Sequence, residues 1–447
     1  MPTIREREAP GHRRSKRSSC SPASHPTWVI LLETGARDDD STGDRAMSLT
    51  STGELISVSF VLLEPPRISF LAVDVPQRPR PTEPMIRSDV KVLAAHEDVV
   101  LFELDSRSMS DHAPVDYFGE LRYLRETIAV NVTCAILRET NDRRPPSTAP
   151  YEKRKHRILS TRSRSKEDAS FVVADLRREC PESQRDYDYG PARKFDLHVL
   201  RSGSDKWMVF KNLHIRGTKR GRELDWWSTD AIVPYRNRYL IWADYYQGVI
   251  FADLACPEKK PDLWYVPLPV DPLRKDPSDM EENGGPGYPD TSRNLCATRS
   301  GLKFVSVDHQ RSTNIRMRHW KSTCTFWITI WSLHSDGVTW KRDERLYAED
   351  LWALDSKNRF PHVEPKFPIV NMENPNAVCF VVEEDHIISC SRKRAFMVEI
   401  DMRKKVLLAV IDYSKEPHLF RLDSVKIATE SSYLSLEENI HCCIIYH

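Results

Sequence analysis

Short apolar stretches recur along the chain and alternate with polar turns, whereas the periodicity of an amphipathic helix is scarce. Short runs rich in β-branched and aromatic residues, bounded by Gly, Pro, Asn, Asp or Ser, are typical of strands. The pattern therefore predicts strands throughout the chain, at Ile56–Leu62, Ile68–Val73, Val90–Leu93, Val99–Leu104, Phe195–Leu200, Trp207–Leu213, Tyr239–Ala243, Val249–Asp253, Leu263–Val266, Leu302–Val307, Phe326–Leu333, Val338–Lys341, Val378–Val382, Ala395–Ile400 and Lys405–Ile411.

Many neighbouring strands are spaced by roughly 8–12 residues, as in all-β sandwiches, barrels and propellers. Two segments also resemble each other, because His198–Trp207 and Trp331–Trp340 both run from a strand through a Ser/Gly/Asp turn to a Trp. The two tryptophans lie 133 positions apart. That separation equals about three propeller blades of roughly 40–45 residues each. We therefore predict an all-β, β-propeller-like fold in which such a Trp packs on the adjacent blade. Two packed β-sandwiches are the alternative.

Composition divides the chain into four parts. Residues 1–47 are rich in Pro, Ser, Arg and Asp, and we expect a basic, polar lead segment without fixed structure. Residues 48–175 are expected to form an N-terminal β half with a long basic surface loop at residues 143–166. Residues 176–413 are expected to form a C-terminal β half, followed by a variable tail at residues 414–447.

Charge and apolar run length limit the classes of partner. The 447 residues contain 66 Lys plus Arg against 65 Asp plus Glu, a net charge of +1. This balance lacks the basic excess of a dedicated nucleic-acid binder, so nucleic acid is an unlikely partner. No apolar run approaches the roughly 18–20 residues of a membrane helix. Ten scattered cysteines fit a reducing compartment, which indicates the cytoplasm or the nucleus.

The common catalytic and metal-binding motifs are missing from the sequence. It has no phosphate-binding Gly-rich loop, no Gly-x-Ser-x-Gly, no His-Glu-x-x-His and no Cys-x-x-Cys. We therefore assign no catalytic, cofactor-binding or metal-binding residue. Asp244 and Asp253 leave one catalytic alternative open, because they lie on one hairpin with aromatic residues that could stack on a sugar. That alternative is a propeller-type hydrolase that acts on a carbohydrate.

Two clusters mix basic and aromatic residues, a combination that can stack single-stranded RNA. The first contains Tyr235, Arg236, Arg238 and Tyr239, and the second is Arg316–Lys321. A solvated strand edge is the simpler interpretation of both clusters. RNA binding is the third hypothesis, behind protein binding and carbohydrate hydrolysis.

In the segment from Tyr239 to Pro269, an apolar strand with Trp is followed by an Asp, a turn that ends in Gly, a second strand with Asp, and a Tyr-Val-Pro-Leu-Pro run. This pattern resembles that of a plant family, abundant in grasses, that is known as domain of unknown function 1618. Further similarity extends over roughly residues 48–413. The motif residues here, which we expect to be structural, are Trp242, Asp244, Tyr245, Tyr246, Gly248, Asp253, Tyr265, Pro267 and Pro269.

The resemblance implies a β-propeller-like body and no particular reaction, since the family has no established catalytic residues. We therefore expect a non-enzymatic scaffold that binds other proteins. We also expect the turn at Asp244–Gly248 to be structural, with Trp242 in the core and Gly248 at a positive φ.

Overall fold

The structure is a computed structural model, and it describes much of the chain. The described residues are 28–32, 34–36, 45–50, 53–75, 86–96, 99–105, 115–119, 157–162, 169–178, 195–201, 204, 206–218, 224, 227–256, 259–270, 289–309, 326–383 and 394–413. Among these residues, none of the helical segments has the length and hydropathy that crossing a membrane requires.

Strands make up nearly all of the regular structure in the described ranges. One short helix, α1 at Ala348–Ala353, and a 3-10 turn at Pro289–Thr291 interrupt them. The strands are β1 (Ile30–Leu31), β2 (Thr34–Ala36), β3 (Ala46–Leu49), β4 (Leu55–Val61), β5 (Ile68–Asp74), β6 (Ile86–His96), β7 (Val99–Asp105), β8 (Val115–Gly119), β9 (Arg157–Arg162), β10 (Ala169–Arg178), β11 (Phe195–Arg201), β12 (Met208–Leu213), β13 (Ile215–Arg216), β14 (Ala231–Tyr235), β15 (Tyr239–Asp244), β16 (Gly248–Asp253), β17 (Leu263–Pro267), β18 (Arg293–Thr298), β19 (Gly301–His309), β20 (Phe326–Leu333), β21 (Trp340–Tyr347), β22 (Lys366–Val370), β23 (Ala377–Glu383), β24 (Ala395–Asp401) and β25 (Val406–Asp412).

These strands form five sheets in the described residues, arranged as a five-bladed β-propeller, so the predicted fold class is confirmed. Blade 1 contains β1–β8, blade 2 contains β9–β12, and blade 3 contains β13–β17. Blade 4 contains β18–β21 and blade 5 contains β22–β25. Blades 2, 4 and 5 are antiparallel meanders of four strands, and blade 3 adds β13 as a parallel strand along β17.

The inner strands of blades 2 to 5 lie next to one another. β14 contacts both β9 and β18, and β18 contacts β22. From these contacts blades 2, 4 and 5 run outward strand by strand to β12, β21 and β25 at the rim, whereas in blade 3 the short strand β13 lies at the rim beside β17. A turn or side chain at the edge of one blade is thereby brought close to the next blade.

Strands in the middle of a blade are apolar on both faces because each face packs against a different neighbour. In blade 3, Trp242 and Ile250 belong to an apolar cluster shared with blade 2. Ile241 and Phe251 alternate with them and belong to a cluster shared with blades 4 and 5. This sandwiching explains why these strands read as nearly continuous apolar runs instead of alternating apolar and polar residues.

The segment Trp28–Leu32 closes the ring between the first and the last blade. Val29 and Leu31 lie in the core of blade 1, whereas Trp28, Ile30 and Leu32 belong to the cluster that includes blade 5. β1 lies parallel to β5, and the Ile68 N–H of β5 donates to the Tyr413 hydroxyl, directly after β25, at 3.0 Å. One strand thus buries both of its faces, each against a different blade.

The structure corrects two of the expected boundaries. Residues 28–32, in the expected lead segment without fixed structure, are 0–4% exposed and form part of the core. Within the expected basic loop at residues 143–166, residues 157–162 form β9, which pairs with β10. The expected boundary after residue 175 falls inside β10, and the tail at residues 414–447 lies outside the described residues.

The repeated Trp has the expected role but a different spacing. The Trp340 indole N–H of blade 4 donates to the Pro267 carbonyl of blade 3 at 2.9 Å, and Trp207 of blade 2 packs on the core of blade 1. Each Trp therefore packs on the preceding blade. The two residues lie two blades apart, not three, because the connections make these blades longer than 44 residues.

Candidate functional site

The turn between β15 and β16 is organised by the carboxylate of Asp244, which is completely buried. Its oxygens accept hydrogen bonds from the Ser228 N–H at 2.9 Å, the Tyr246 N–H at 3.0 Å and the Gln247 side-chain amide at 3.3 Å. A carboxylate that accepts from nearby backbone N–H groups stabilises a tight turn. Asp244 therefore joins this turn to the segment that leads into β14.

Tyr245 connects the same turn to blade 4. Its hydroxyl accepts from the Leu295 N–H at 3.1 Å, and its carbonyl accepts from the Arg293 guanidinium at 2.6 Å. Arg293 is 4% exposed and lies 3.8 Å from the Asp308 carboxylate. The backbone N–H of Tyr245 donates to Asp230 at 2.7 Å. Such a buried, charge-assisted network fixes the position of one blade on the next.

Gly248 is required for space and not for backbone freedom, which differs from the expectation. It is absent from the residues with positive φ. A Cβ at this position would lie 2.6 Å from both Cζ and the hydroxyl of Tyr265. The Tyr265 ring is held in that place by its hydrogen bond to the Gln247 carbonyl at 3.1 Å and by edge contact with Trp227.

Asp253, at the other end of the hairpin, forms a bidentate ion pair with Arg238. The guanidinium Nε lies 3.0 Å from both carboxylate oxygens, and Nη2 lies 2.5 Å from Oδ2. The hydrogen bond from Arg238 lowers the pKa of the Asp253 carboxyl, against the opposing effect of partial burial. A carboxylate held ionised in this way is a poor general acid.

Because Asp253 forms an ion pair with Arg238, the effect of Asp253→Asn on the stability of the fold should depend on pH. Since the pKa of Asp253 is lower in the folded chain, ionised Asp253 stabilises the fold above its unfolded pKa of about 3.9. This contribution disappears as the pH falls through the folded pKa. We expect Asp253→Asn to reduce stability at pH 7 by at most about 1 kcal/mol, because Arg238 is half exposed. The deficit should shrink below about pH 4.

Thermal melting between pH 7 and pH 3 measures this effect. Asp262→Asn is the control, because the Asp262 side chain is 60% exposed in its pair with Arg216. A deficit for Asp253→Asn that stayed constant over this pH range would contradict the assigned role of the ion pair.

The nine expected motif residues thus occupy both ends of one hairpin and the adjoining outer strand. Tyr265 is buried, Tyr246 and Pro269 are half-buried, and Pro267 is exposed, with its carbonyl bonded to Trp340. Residues 242–379 match the family model described as protein of unknown function (DUF1618). This match confirms the resemblance over residues 242–379. The chain matches no curated protein.

The DUF1618 region begins inside β15 and ends inside β23, so it spans parts of blades 3 and 5 and all of blade 4. All nine motif residues lie within it. The wider similarity over residues 48–413 stays a prediction outside this range.

At the end of the hairpin opposite Asp244, blade 3 presents an exposed cluster that we call the blade 3 patch. It comprises Tyr235, Arg236, Arg238, Tyr239 and Trp264. The three rings are half-buried and both arginines are exposed. Arg236 and Asn237 have φ values of 54° and 47°, and the Arg238 N–H donates to the Tyr235 carbonyl at 3.3 Å. This is the geometry of a type I′ turn between β14 and β15.

The guanidinium groups of the patch lie over aromatic rings. Arg236 is 4.9 Å from the centre of the Tyr235 ring, and Arg238 is 5.0 Å from that of Tyr239, within the range of cation–π attraction. Tyr235 stacks on Tyr239 at 6.4 Å, and Tyr239 meets the Trp264 ring edge-on at 5.6 Å. The rings therefore form a continuous row of aromatic contacts, with one ring each from β14, β15 and β17.

Within the described residues, Arg236 has no carboxylate partner, in contrast to Arg238. A left-handed backbone costs an arginine on the order of 1–3 kcal/mol, and such strain is common at binding and catalytic sites. The turn thus holds one uncompensated positive charge above an aromatic surface.

In the described ranges, no three His, Cys, Asp or Glu side chains come together in an arrangement that could hold a metal ion. The second basic cluster, Arg316–Lys321, lies outside the described residues. No sequence pattern indicated a role for Asp230 or for Arg293, which begins β18. A buried arginine that reaches a turn in the preceding blade leaves no local signal in the sequence.

Proposed function

We propose that this protein is a non-enzymatic scaffold that binds other proteins, and that the blade 3 patch contacts an acidic segment of the partner. The observation that carries the proposal is the exposed Arg236, without a carboxylate partner and held over Tyr235 by a left-handed turn. A partner carboxylate would supply the counter-charge that the described part of the chain does not offer.

The residue types of the patch support protein binding. Arg, Tyr and Trp are the residues that most often carry the binding energy of protein interfaces. Rings already fixed by stacking, as Tyr239 is against Trp264, lose little conformational entropy when a partner binds. Lys259 and Lys260 are exposed in the loop after Asp253, at the same end of blade 3, and add positive charge.

The alternative, carbohydrate hydrolysis by Asp244 and Asp253, is less well supported. Asp244 pairs with Gly248, and Asp253 lies five residues further along the same strand. At about 3.3–3.4 Å per residue the two backbone positions are roughly 17 Å apart, whereas glycosidase carboxylates lie about 5–9.5 Å apart. Asp244 is also completely buried and engaged by the turn.

We also propose that the protein resides in the cytoplasm or the nucleus. In the described ranges, Cys256 and Cys379 are free thiols. Burial raises the pKa of the Cys379 thiol well above its usual value, so this residue behaves as a small apolar side chain. Free thiols of this kind are typical of reducing compartments.

Photo-crosslinking tests the binding proposal. A photoreactive phenylalanine at position 259 lies in the loop beside Asp253, next to the patch. In extracts of cells that express the protein, we expect it to capture a defined protein partner. When the same chain also carries Arg236→Glu, the crosslinking yield should fall at least tenfold, because interface hot spots contribute about 2 kcal/mol or more.

Arg342→Glu is the matched control, because Arg342 is exposed on the outer strand of blade 4 and undergoes the same charge change. Equal yields from wild type and Arg236→Glu would overturn the proposal, as would loss of the adduct after ribonuclease treatment. Turnover of a glycoside that Asp253→Asn abolishes would favour the hydrolase instead.

A further inference from the structure

The outermost strand of blade 5, β25, presents an apolar edge. Val406 is 41% exposed and Leu408 is 48% exposed. No charged residue occurs from Val406 to Ile411. In the described part of the chain, β25 pairs only with β24, so its other edge has a row of N–H and C=O groups without strand partners. Such an edge is a template for pairing with another strand.

The rim strands of the other blades carry features that discourage pairing. Blade 1 has two edge strands, β3 with four residues and β8 with five residues that include Asp116. In blade 2, β12 contains Lys211 and the left-handed Asn212. In blade 3, β13 covers β17, which ends in Pro267. In blade 4, residues 341–345 of β21 are all charged. Short length, charge, proline, a β-bulge and coverage are the usual protections of an edge strand. Of these, β25 has only the bulge at Leu408 and one charge, Asp412, at its last position.

The register of β25 also leaves Leu408 without a partner in its own blade. Ala409 pairs with Glu399 and Leu407 pairs with Ile400, so Leu408 has no opposite residue on β24. β21 has a similar irregularity opposite Ile330 and Trp331, but charged residues surround it there. In β25 the unpaired residue is an exposed leucine between apolar neighbours.

Charge along β25 indicates what covers this edge. Arg403, Lys404 and Lys405 precede the strand, and Asp412 ends it. If two such strands pair antiparallel about Ala409, the basic end of each lies beside the acidic end of the other. A parallel arrangement would bring the basic ends together. The strand is therefore complementary to itself in the antiparallel orientation alone.

We propose that β25 pairs antiparallel with β25 of a second copy of this chain, which joins two propellers edge to edge. In this register Leu408 of one copy faces Val410 of the other, and Val406 faces Asp412. Lys404 and Lys405 would keep or exchange their present carboxylate partners at little cost. The Lys405 and Asp350 side chains, for example, form an ion pair while 54% and 42% exposed. One strand edge is a small interface, so we expect a reversible dimer that forms at micromolar concentrations.

Analytical ultracentrifugation of the full chain over a range of concentrations measures this equilibrium. We expect Leu408→Lys to raise the dimer dissociation constant at least tenfold without changing the melting temperature, because the residue is exposed. Val338→Lys is the control, since Val338 is 54% exposed in the turn between β20 and β21 and undergoes the same change. A wild-type chain that stays monomeric up to about 100 μM, two orders of magnitude above the expected range, would overturn the proposal. A dimer that Leu408→Lys leaves intact would overturn it too.

A photoreactive residue at position 408 identifies the occupant of the edge. In a mixture of isotopically light and heavy chains, we expect adducts that join position 408 of one copy to residues 406–412 of the other. Adducts only to residues 414–447 of the same copy would show that the tail covers the edge, and adducts only to a different protein would show another partner. Either of these two results overturns the assignment to a second copy.

Discussion

Trp28→Ala is expected to lower the free energy of unfolding by about 3–5 kcal/mol, as for other buried tryptophans. Trp28 is 4% exposed and belongs to the cluster that connects blade 1 with blade 5. Its truncation leaves a cavity at the closure of the ring, where a propeller has no covalent link between its ends. Urea denaturation followed by far-ultraviolet circular dichroism measures the loss.

Leu49→Ala is the control for Trp28→Ala, because Leu49 is 56% exposed on the rim strand of blade 1. We expect its midpoint of unfolding to match that of the wild type. A Trp28→Ala variant as stable as Leu49→Ala would contradict the assignment of residues 28–32 to the core.

Asp244→Ala is the second change with a large expected effect, a loss of about 3–5 kcal/mol. The substitution removes the acceptor for the N–H groups of Ser228 and Tyr246 and for the Gln247 amide. Hydrogen bonds to a charged group contribute about 1.5–3 kcal/mol each, and donors left partly buried without an acceptor add a desolvation cost. Urea denaturation measures this loss as well.

Asp336→Ala is the matched control, since Asp336 also accepts two backbone N–H groups in a turn, those of Val338 and Thr339, at 2.9 Å. Hydrogen bonds from Thr339 and Val338 lower the pKa of Asp336 to about 2. This turn is exposed, so water can solvate the freed donors and the loss should be smaller. Equal losses for Asp336→Ala and Asp244→Ala would contradict the role assigned to the buried carboxylate.

The hairpins of the DUF1618 region were predictable from the sequence because their signals are local. The apolar runs at Tyr239–Ala243 and Val249–Asp253, separated by a polar turn, predict β15 and β16 almost to the residue. The hairpin of β6 and β7 was predicted as well, but β6 at Ile86–His96 is longer than the predicted Val90–Leu93. In each case the turn residues and the strand residues indicate the same structure.

Features that depend on contacts distant in sequence were not predictable. Trp28–Leu32 is a short apolar patch among polar residues, and only the meeting of blades 1 and 5 gives it a place. Gly248 suggested a positive φ, but the ring of Tyr265, from a different strand, is what excludes a side chain there. Arg293 is buried by a turn 48 residues earlier in the chain.

The candidate site was predicted in part. The cluster of Tyr235, Arg236, Arg238 and Tyr239 was visible as interleaved basic and aromatic residues. The sequence did not show that Asp253 neutralises Arg238 while Arg236 keeps an exposed charge, because that distinction depends on the pairing of Tyr239 with Asp253 across the hairpin. Trp264 joins the patch only through the pairing of β17 with β16.

The central claim is that one end of the blade 3 hairpin stabilises the fold while the other end binds a partner. Titration calorimetry of the captured partner with wild-type and Arg236→Glu chains tests this claim most directly. We expect the Arg236→Glu chain to bind at least ten times more weakly than the wild type while its melting temperature is unchanged. Equal affinities, or a loss of affinity that only accompanies unfolding, would contradict it.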